Sequence, residues 1–134
     1  MSRNGPTALL QRLRRLSGVE PLPATEKLSL AVMLGSLLVG TLRAENGHWI
    51  FEYSEEFKQQ NSILPIVDFP AVDREYRSHA LWPFFALRIP SPEQSAVKAY
   101  MNRNSLETVD EGILLREFGG RSISNPFRLV PTAA

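Results

Sequence analysis

Residues 28–53, LSLAVMLGSLLVGTLRAENGHWIFEY, contain three apolar runs separated by two turn signals. Gly35-Ser36 is typical of a two-residue hairpin turn with glycine first, and Glu45-Asn46-Gly47 is a second turn signal. Because side chains along a strand alternate between its two faces, the last run puts three aromatic residues on one face, namely Trp49, Phe51 and Tyr53. The pattern predicts a three-stranded antiparallel meander with strands over 28–34, 37–42 and 48–53.

Loop and helix signals follow the meander. Ser54 precedes two glutamates in the manner of a helix N-cap. Residues 61–71 contain two prolines, which favours an edge strand or an extended loop. Pro83 predicts that a helix begins there. Ser91-Pro92-Glu93-Gln94 predicts the start of a further helix, which we expect to run to Arg103.

The remaining elements lie towards the two ends of the chain. Gly119-Gly120 predicts the end of a third helix over residues 109–118, and residues 127–130 are a last strand candidate. Near the N-terminus, residues 8–16 are predicted as a short amphipathic helix, because leucines recur on one face. Residues 20–23 then contain two prolines, which predicts a stiff, extended linker.

Together these elements predict an α+β fold: a small antiparallel, partly barrel-like sheet with a cluster of short helices. The length of 134 residues fits a single domain with one hydrophobic core. We expect residues 1–26 to form a basic arm with a short helix and a linker. Residues 27–131 are predicted to form the domain and residues 132–134 a tail.

The charge balance bears on nucleic-acid binding. The chain has 15 basic and 14 acidic side chains, so its net charge of +1 gives no overall field that would attract nucleic acid. The best local basic patch is Arg12, Arg14 and Arg15, near the N-terminus. Two interpretations of this arm stay open, because it can pack on its own domain or contact phosphate groups or a partner.

Cysteine content and hydropathy bear on the compartment. The chain has no cysteine, which excludes disulfides and thiolate metal sites. The longest uncharged run, residues 28–42, is too short for a membrane-spanning helix, which needs about 20 apolar residues. Residues 1–20 lack the apolar stretch of a secretory signal. We therefore expect a cytoplasmic protein with no membrane partner.

No residue pattern points to catalysis. His48 and His79 each lack a nearby histidine or cysteine with which to hold a metal ion. Gly119-Gly120 follows a predicted helix, whereas a phosphate-binding glycine loop precedes one. We therefore predict a binding module without catalytic residues, metal or cofactor. A small enzyme with an unrecognised site is the alternative, and activity of the purified chain would support it.

Four strings, in their order and spacing, resemble the N-terminal domain of HipA-type Ser/Thr kinase toxins. They are LGSLLVGTL (34–42), FEYSEEF (51–57), PFFALRIP (83–90) and LLREFG (114–119). The resemblance runs from about residue 28 to residue 131. The chain departs from the family's pattern at two places, where Leu-Leu-Pro becomes Arg88-Ile89-Pro90 and a late Gly-Ala pair appears as Ser124-Asn125-Pro126.

The resemblance implies a function by contact with other proteins. HipA-type kinases carry their ATP loop and catalytic aspartate in a region beyond this domain. In HipBST-type toxin–antitoxin systems, a separate protein equivalent to the domain, HipS, is the antitoxin. The resemblance therefore implies a HipS-like antitoxin that inhibits a HipA-like kinase toxin (HipT-like), docking near its active site. It also implies a ternary complex with a HipB-like helix-turn-helix protein, so that contact with DNA is indirect. The alternative is a non-catalytic co-regulator in an operator-bound repressor complex.

The segment that begins at Trp82 carries the predicted partner contacts. Trp82 stands beside a rigid proline, where the family needs no tryptophan, and Trp and Arg dominate interface hot spots. We predict that Trp82, Phe85, Arg88 and Ile89 bind the partner, and that Arg88 pairs with acidic or phosphate groups. The opposing interpretations are that Trp82 fills the core and that Arg88 is an exposed, solubilising charge.

Overall fold

The computed structural model describes residues 19–23, 27–123 and 125–132. In chain order, its elements are β1 (Val19–Glu20), β2 (Leu28–Leu34), β3 (Leu37–Glu45), β4 (His48–Tyr53), α1 (Glu55–Lys58), β5 (Tyr76–Ser78), α2 (Pro83–Ala86), α3 (Ser95–Arg103), β6 (Val109–Asp110), α4 (Glu111–Phe118) and β7 (Arg128–Pro131). The predicted helix over residues 8–16 lies outside the described residues.

Strands β2, β3 and β4 form the predicted meander, because both turns adopt the backbone that their residues favour. Gly35 has a positive φ of 60°, and Asn46 and Gly47 have φ of 52° and 77°. Strands β5 and β7 extend the sheet to five antiparallel strands in the order β5-β4-β3-β2-β7. Within the described residues, the two edge strands do not pair with each other. The predicted α+β class, with an antiparallel sheet and short helices, is confirmed.

One face of this sheet supports the main core. Trp49, Phe51 and Tyr53 occupy alternate positions of β4 and are buried, as their spacing predicts. Phe51 stacks on Phe69, with ring centroids 4.3 Å apart. Tyr53 stacks on Phe57, the buried residue of α1, at 4.7 Å. Aromatic packing therefore fixes α1 and the loop that carries Phe69 against the sheet.

The segment over residues 61–71 is a loop rather than an edge strand. Its backbone hydrogen bonds go partly to a side chain: the Tyr53 hydroxyl donates to Phe69 O at 2.7 Å and accepts from Ile66 N at 2.9 Å. Burial raises the pKa of Tyr53 to about 12, because desolvation disfavours the phenolate. The Tyr53 hydroxyl thus fixes the backbone of the loop at Ile66 and Phe69.

Helix starts follow the prediction at α1 but not at α3. The Ser54 side chain accepts from Phe57 N at 2.9 Å, which confirms the predicted cap of α1. Helix α3 begins at Ser95, four residues later than the serine cap that the sequence indicated. Ser91 Oγ instead accepts from Glu93 N at 3.1 Å, which closes a separate turn before the helix. The predicted end at Arg103 is confirmed.

A second, smaller cluster forms beside the main core. Strands β1 and β6 pair in parallel, with Val19 opposite Val109, and β6 takes the place of the first two residues of the helix predicted over 109–118. Both valines are buried there with Val97 and Leu114. Leu22, in the segment predicted as a linker, is buried in the main core. Residues 19–23 therefore supply core side chains while keeping an extended path.

Candidate partner-binding surface

The helical turn α2 is fixed by local contacts. Trp82 is its N-cap residue, and Pro83 occupies its first position, where a missing N–H costs no hydrogen bond. Asp68 reaches across from the preceding loop, and its Oδ2 accepts from Phe84 N at 2.9 Å. The turn is therefore held against the loop that carries Asp68, and its surface is formed by a rigid backbone.

The four predicted partner contacts lie in this turn or next to it, and their side chains differ in depth. Phe85 is fully buried, with its ring centroid 6.0 Å from those of Phe51 and Phe69, so it is a core residue. Trp82 is half-buried and meets Phe69 edge-on at 4.9 Å. Ile89 is half-buried and packs against both clusters. Contact of Trp82 and Ile89 with a partner stays a prediction.

Arg88, the fourth predicted contact, is only 5% exposed, and its guanidinium donates to four neutral oxygens. Its Nε donates to Gly119 O at 2.7 Å, and its Nη1 donates to Asn125 Oδ1 at 2.9 Å. Its Nη2 donates to Gly120 O at 3.1 Å and also to Phe127 O. The side chain therefore ties the end of α2 to the segment between α4 and β7. Burial rules out an exposed, solubilising role and leaves little surface for direct partner contact.

The charge of Arg88 is balanced by dipoles alone. Among the described residues, all four of its hydrogen-bond acceptors are carbonyl oxygens of the backbone or of an amide side chain. Burial lowers the pKa of Arg88, because desolvation disfavours the cation. Arginine nevertheless stays protonated in proteins. A positive charge therefore lies just beneath the surface next to α2.

An open apolar groove lies between α2 and the loop over residues 61–71. We call it the α2 groove; it has a volume of about 380 Å³. It is formed chiefly by Leu64, Val67, Pro83, Phe84, Leu87 and Phe127. Leu64, Val67 and Leu87 are 82%, 91% and 81% exposed, while Phe84 and Phe127 meet edge-on at 5.2 Å. Contiguous exposed apolar side chains mark interaction sites on soluble proteins, so the groove is the strongest candidate for docking.

The exposed residues of this groove are the ones that sequence reasoning misses. Leu87 directly follows α2, which ends at Ala86, and its side chain is left in solvent. Leu64 and Val67 lie in a proline-containing loop. Apolar residues in such a loop are a usable signal, because loops run over the surface and carry function more often than core elements do.

The remaining sequence candidates are the two histidines and the N-terminal arginines. The rings of His48 and His79, which are distant in sequence, lie with centroids 4.0 Å apart. Within residues 19–23, 27–123 and 125–132, no group of three or more potential metal-ligating side chains comes together. Arg12, Arg14 and Arg15 lie outside the described residues. None of the described helices is long and apolar enough to cross a bilayer.

Comparison with known proteins gives one match. A family model described as the HipA N-terminal domain matches residues 30–123, which is more than half of the chain. The matched region contains α2 and every named residue of the α2 groove except Phe127. No significant match was found among curated proteins or among solved structures.

Proposed function

The chain belongs to the HipA N-terminal domain family, and on that premise we propose that it acts as an antitoxin. It binds a HipA-like Ser/Thr kinase toxin (HipT-like) by protein–protein docking near the kinase active site, and it inhibits the kinase. The observation that carries this proposal is the α2 groove, an exposed apolar surface in the domain of this family.

The apolar surface of the groove is large enough to matter for binding. Full burial of one leucine or valine side chain contributes about 1.5–3 kcal/mol. Leu64, Val67 and Leu87 together therefore offer on the order of 5–8 kcal/mol before the entropic costs of association. Asp68 holds the backbone at Phe84, and Leu87 N bonds to Pro83 O at 3.0 Å, so the part of the groove formed by α2 and Leu87 needs less ordering on binding.

The buried residues of the same segment support the surface from behind. Arg88 stands where the family's pattern has leucine, and Asn125 belongs to the string that replaces the Gly-Ala pair. These two departures contact each other, since Arg88 Nη1 donates to Asn125 Oδ1 at 2.9 Å. We infer that this polar link sets the position of Phe127, whose carbonyl also accepts from Arg88. In this proposal, Arg88 and Phe85 affect binding indirectly, because they fix the positions of the surface residues that contact the partner.

Docking can inhibit a kinase by obstructing its active site or by restraining a moving loop. Trp82 and Ile89 are both half-buried, so each keeps some surface to contribute at the edge of the interface. In this proposal the chain forms a ternary complex with the kinase and a HipB-like helix-turn-helix protein. Contact with DNA then runs through that protein.

Co-expression with a HipA-like kinase encoded beside the gene tests the proposal. The double variant Val67→Asp/Leu87→Asp places two charges on the rim of the groove, where both side chains are largely exposed and the fold tolerates them. We expect the variant to lose growth rescue and co-purification, because the charges must be desolvated on docking.

The matched control is Ala99→Asp, which adds a charge to the exposed face of α3. It is expected to rescue growth and co-purify like the wild type. Circular dichroism and urea unfolding establish that both variants are folded. The proposal is wrong if the folded double variant protects cells and captures the kinase as well as the wild type does.

A further inference from the structure

A second cleft, with a polar lining, lies next to the α2 groove. It has a volume of about 370 Å³, and Leu87 lines both depressions. The side chains that matter for its chemistry are Arg88, Ser91, Gln94, Arg121 and, at its apolar edge, Leu87 and Ile123. We call it the Arg121 cleft.

The lining of the Arg121 cleft is positively charged. Two arginines contribute to it, and none of its described lining residues carries a carboxylate. Arg88 is bonded only to neutral oxygens, so its charge is not cancelled by a neighbouring acid. Coulomb interactions are stronger near a buried charge than in bulk water, because the local dielectric constant is lower. An anion in the cleft is therefore attracted even though the donors of Arg88 are largely occupied.

Three polar side chains at the cleft are available to contact such an anion. Among the described residues, Arg121 makes neither an ion pair nor a hydrogen bond, and it is exposed. Gln94 is the N-cap residue of α3, yet its side chain makes no capping hydrogen bond. The Ser91 hydroxyl accepts from Glu93 N and keeps its own proton for donation. Guanidinium, amide and hydroxyl donors thus line one cleft.

We propose that the Arg121 cleft binds a phosphate group, either free or carried on a side chain of a protein segment. Phosphate suits the cleft better than a carboxylate does, because it offers three acceptor oxygens and up to two negative charges. Arg121 pairs with it directly through its planar fork of donors, and Arg88 supplies the field beneath. Leu87 and Ile123, which are almost fully exposed, can contact the carbon atoms on either side of a phosphorylated side chain. The inference does not depend on the antitoxin role.

An NMR titration of the full chain tests this inference. The probes are inorganic phosphate and N-acetyl-O-phosphoserine N-methylamide, each added at constant ionic strength with sodium chloride as the reference. We expect saturable shifts of the amides around Ser91, Gln94 and Arg121. Arg121→Ala should weaken binding about tenfold or more, because one charge-assisted contact is lost. Arg103→Ala removes an exposed arginine from the far end of α3 and should leave the affinity unchanged.

Several-fold tighter binding of the phosphoserine derivative than of inorganic phosphate would identify a phosphorylated side chain as the ligand, and equal binding would identify free phosphate. Shifts that do not saturate, or that are scattered over the surface, overturn the inference. An equal loss of affinity in Arg121→Ala and Arg103→Ala overturns it as well, because the effect would then reflect overall charge.

Discussion

Replacing Arg88 by methionine should destabilise the fold through the carbonyl groups it leaves behind. Methionine keeps an unbranched apolar side chain but removes all four hydrogen bonds. Gly120 O keeps a second donor, since Leu129 N bonds to it at 2.9 Å. Asn125 Oδ1 likewise keeps Phe127 N as a donor at 3.1 Å. Gly119 O and Phe127 O lose the donor that Arg88 provides.

The expected cost follows from the burial of these acceptors. Gly119 O is buried and, left unsatisfied, costs about 1–3 kcal/mol. Phe127 O is partly buried, so water replaces some of its bond and the cost is about 0.5–1.5 kcal/mol. Part of this loss in stability is offset, because the variant has no buried cation to desolvate on folding. We expect a net loss of about 1–3 kcal/mol, which leaves a folded protein if its stability lies in the usual range of about 5–15 kcal/mol.

Urea unfolding followed by tryptophan fluorescence measures this loss, and hydrogen exchange locates it. The matched control is Arg128→Met, because Arg128 is exposed and makes one hydrogen bond, to Gly35 O at 3.3 Å. It should change stability by less than about 0.5 kcal/mol. Arg88→Lys keeps the positive charge but loses the planar fork of donors, so its loss of stability should lie between those of Arg88→Met and Arg128→Met. The reasoning is refuted if Arg88→Met is as stable as Arg128→Met, or if protection is lost elsewhere than between α4 and β7.

Three further predictions follow. Tyr53 is neutral in both the folded and the unfolded protein below pH 10. The free energy of unfolding should therefore fall by about 2–3 kcal/mol between pH 10 and the folded-state pKa of about 12. Tyr53→Phe should abolish this fall in urea titrations. Gly40→Ala should cost about 1–3 kcal/mol or more in the same assay, because the new Cβ would lie 2.6 Å from Glu52 O; wild-type stability would contradict this. Trp82→Ala should leave the protein folded, at a cost of about 1–3 kcal/mol from lost contact with Phe69, and should weaken kinase capture. Undiminished capture by the folded variant would show that Trp82 is not an anchor.

Local signals in the sequence were sufficient for the meander and the first helix cap. Gly35 and the Asn46-Gly47 pair favour tight turns by themselves, and alternation along β4 fixes which face is buried. Strand β5 gave no such signal, because Tyr76–Ser78 has no apolar alternation and forms by pairing with β4. The start of α3 was misplaced, because a serine cap is equally suited to an isolated turn.

The candidate surface was predictable in place but not in detail. The sequence drew attention to the segment from Trp82 to Ile89, since a proline-led helix and a departure from the family's pattern coincide there. It did not indicate that Phe85 and Arg88 are buried, because the depth of a side chain depends on what packs over it. The segment between α4 and β7 covers Arg88, and it lies more than 30 residues away in sequence.

The sequence by itself determined the α+β class, the meander, the aromatic face of β4 and the family, because these depend on neighbouring residues and on strings in a fixed order. Only the tertiary structure decided which apolar residues remain in solvent and which charge is buried. Exposure of Leu64, Val67 and Leu87, and burial of Arg88, are set by contacts between segments distant in the chain. Such contacts have no local pattern, because they arise when the whole fold closes on itself.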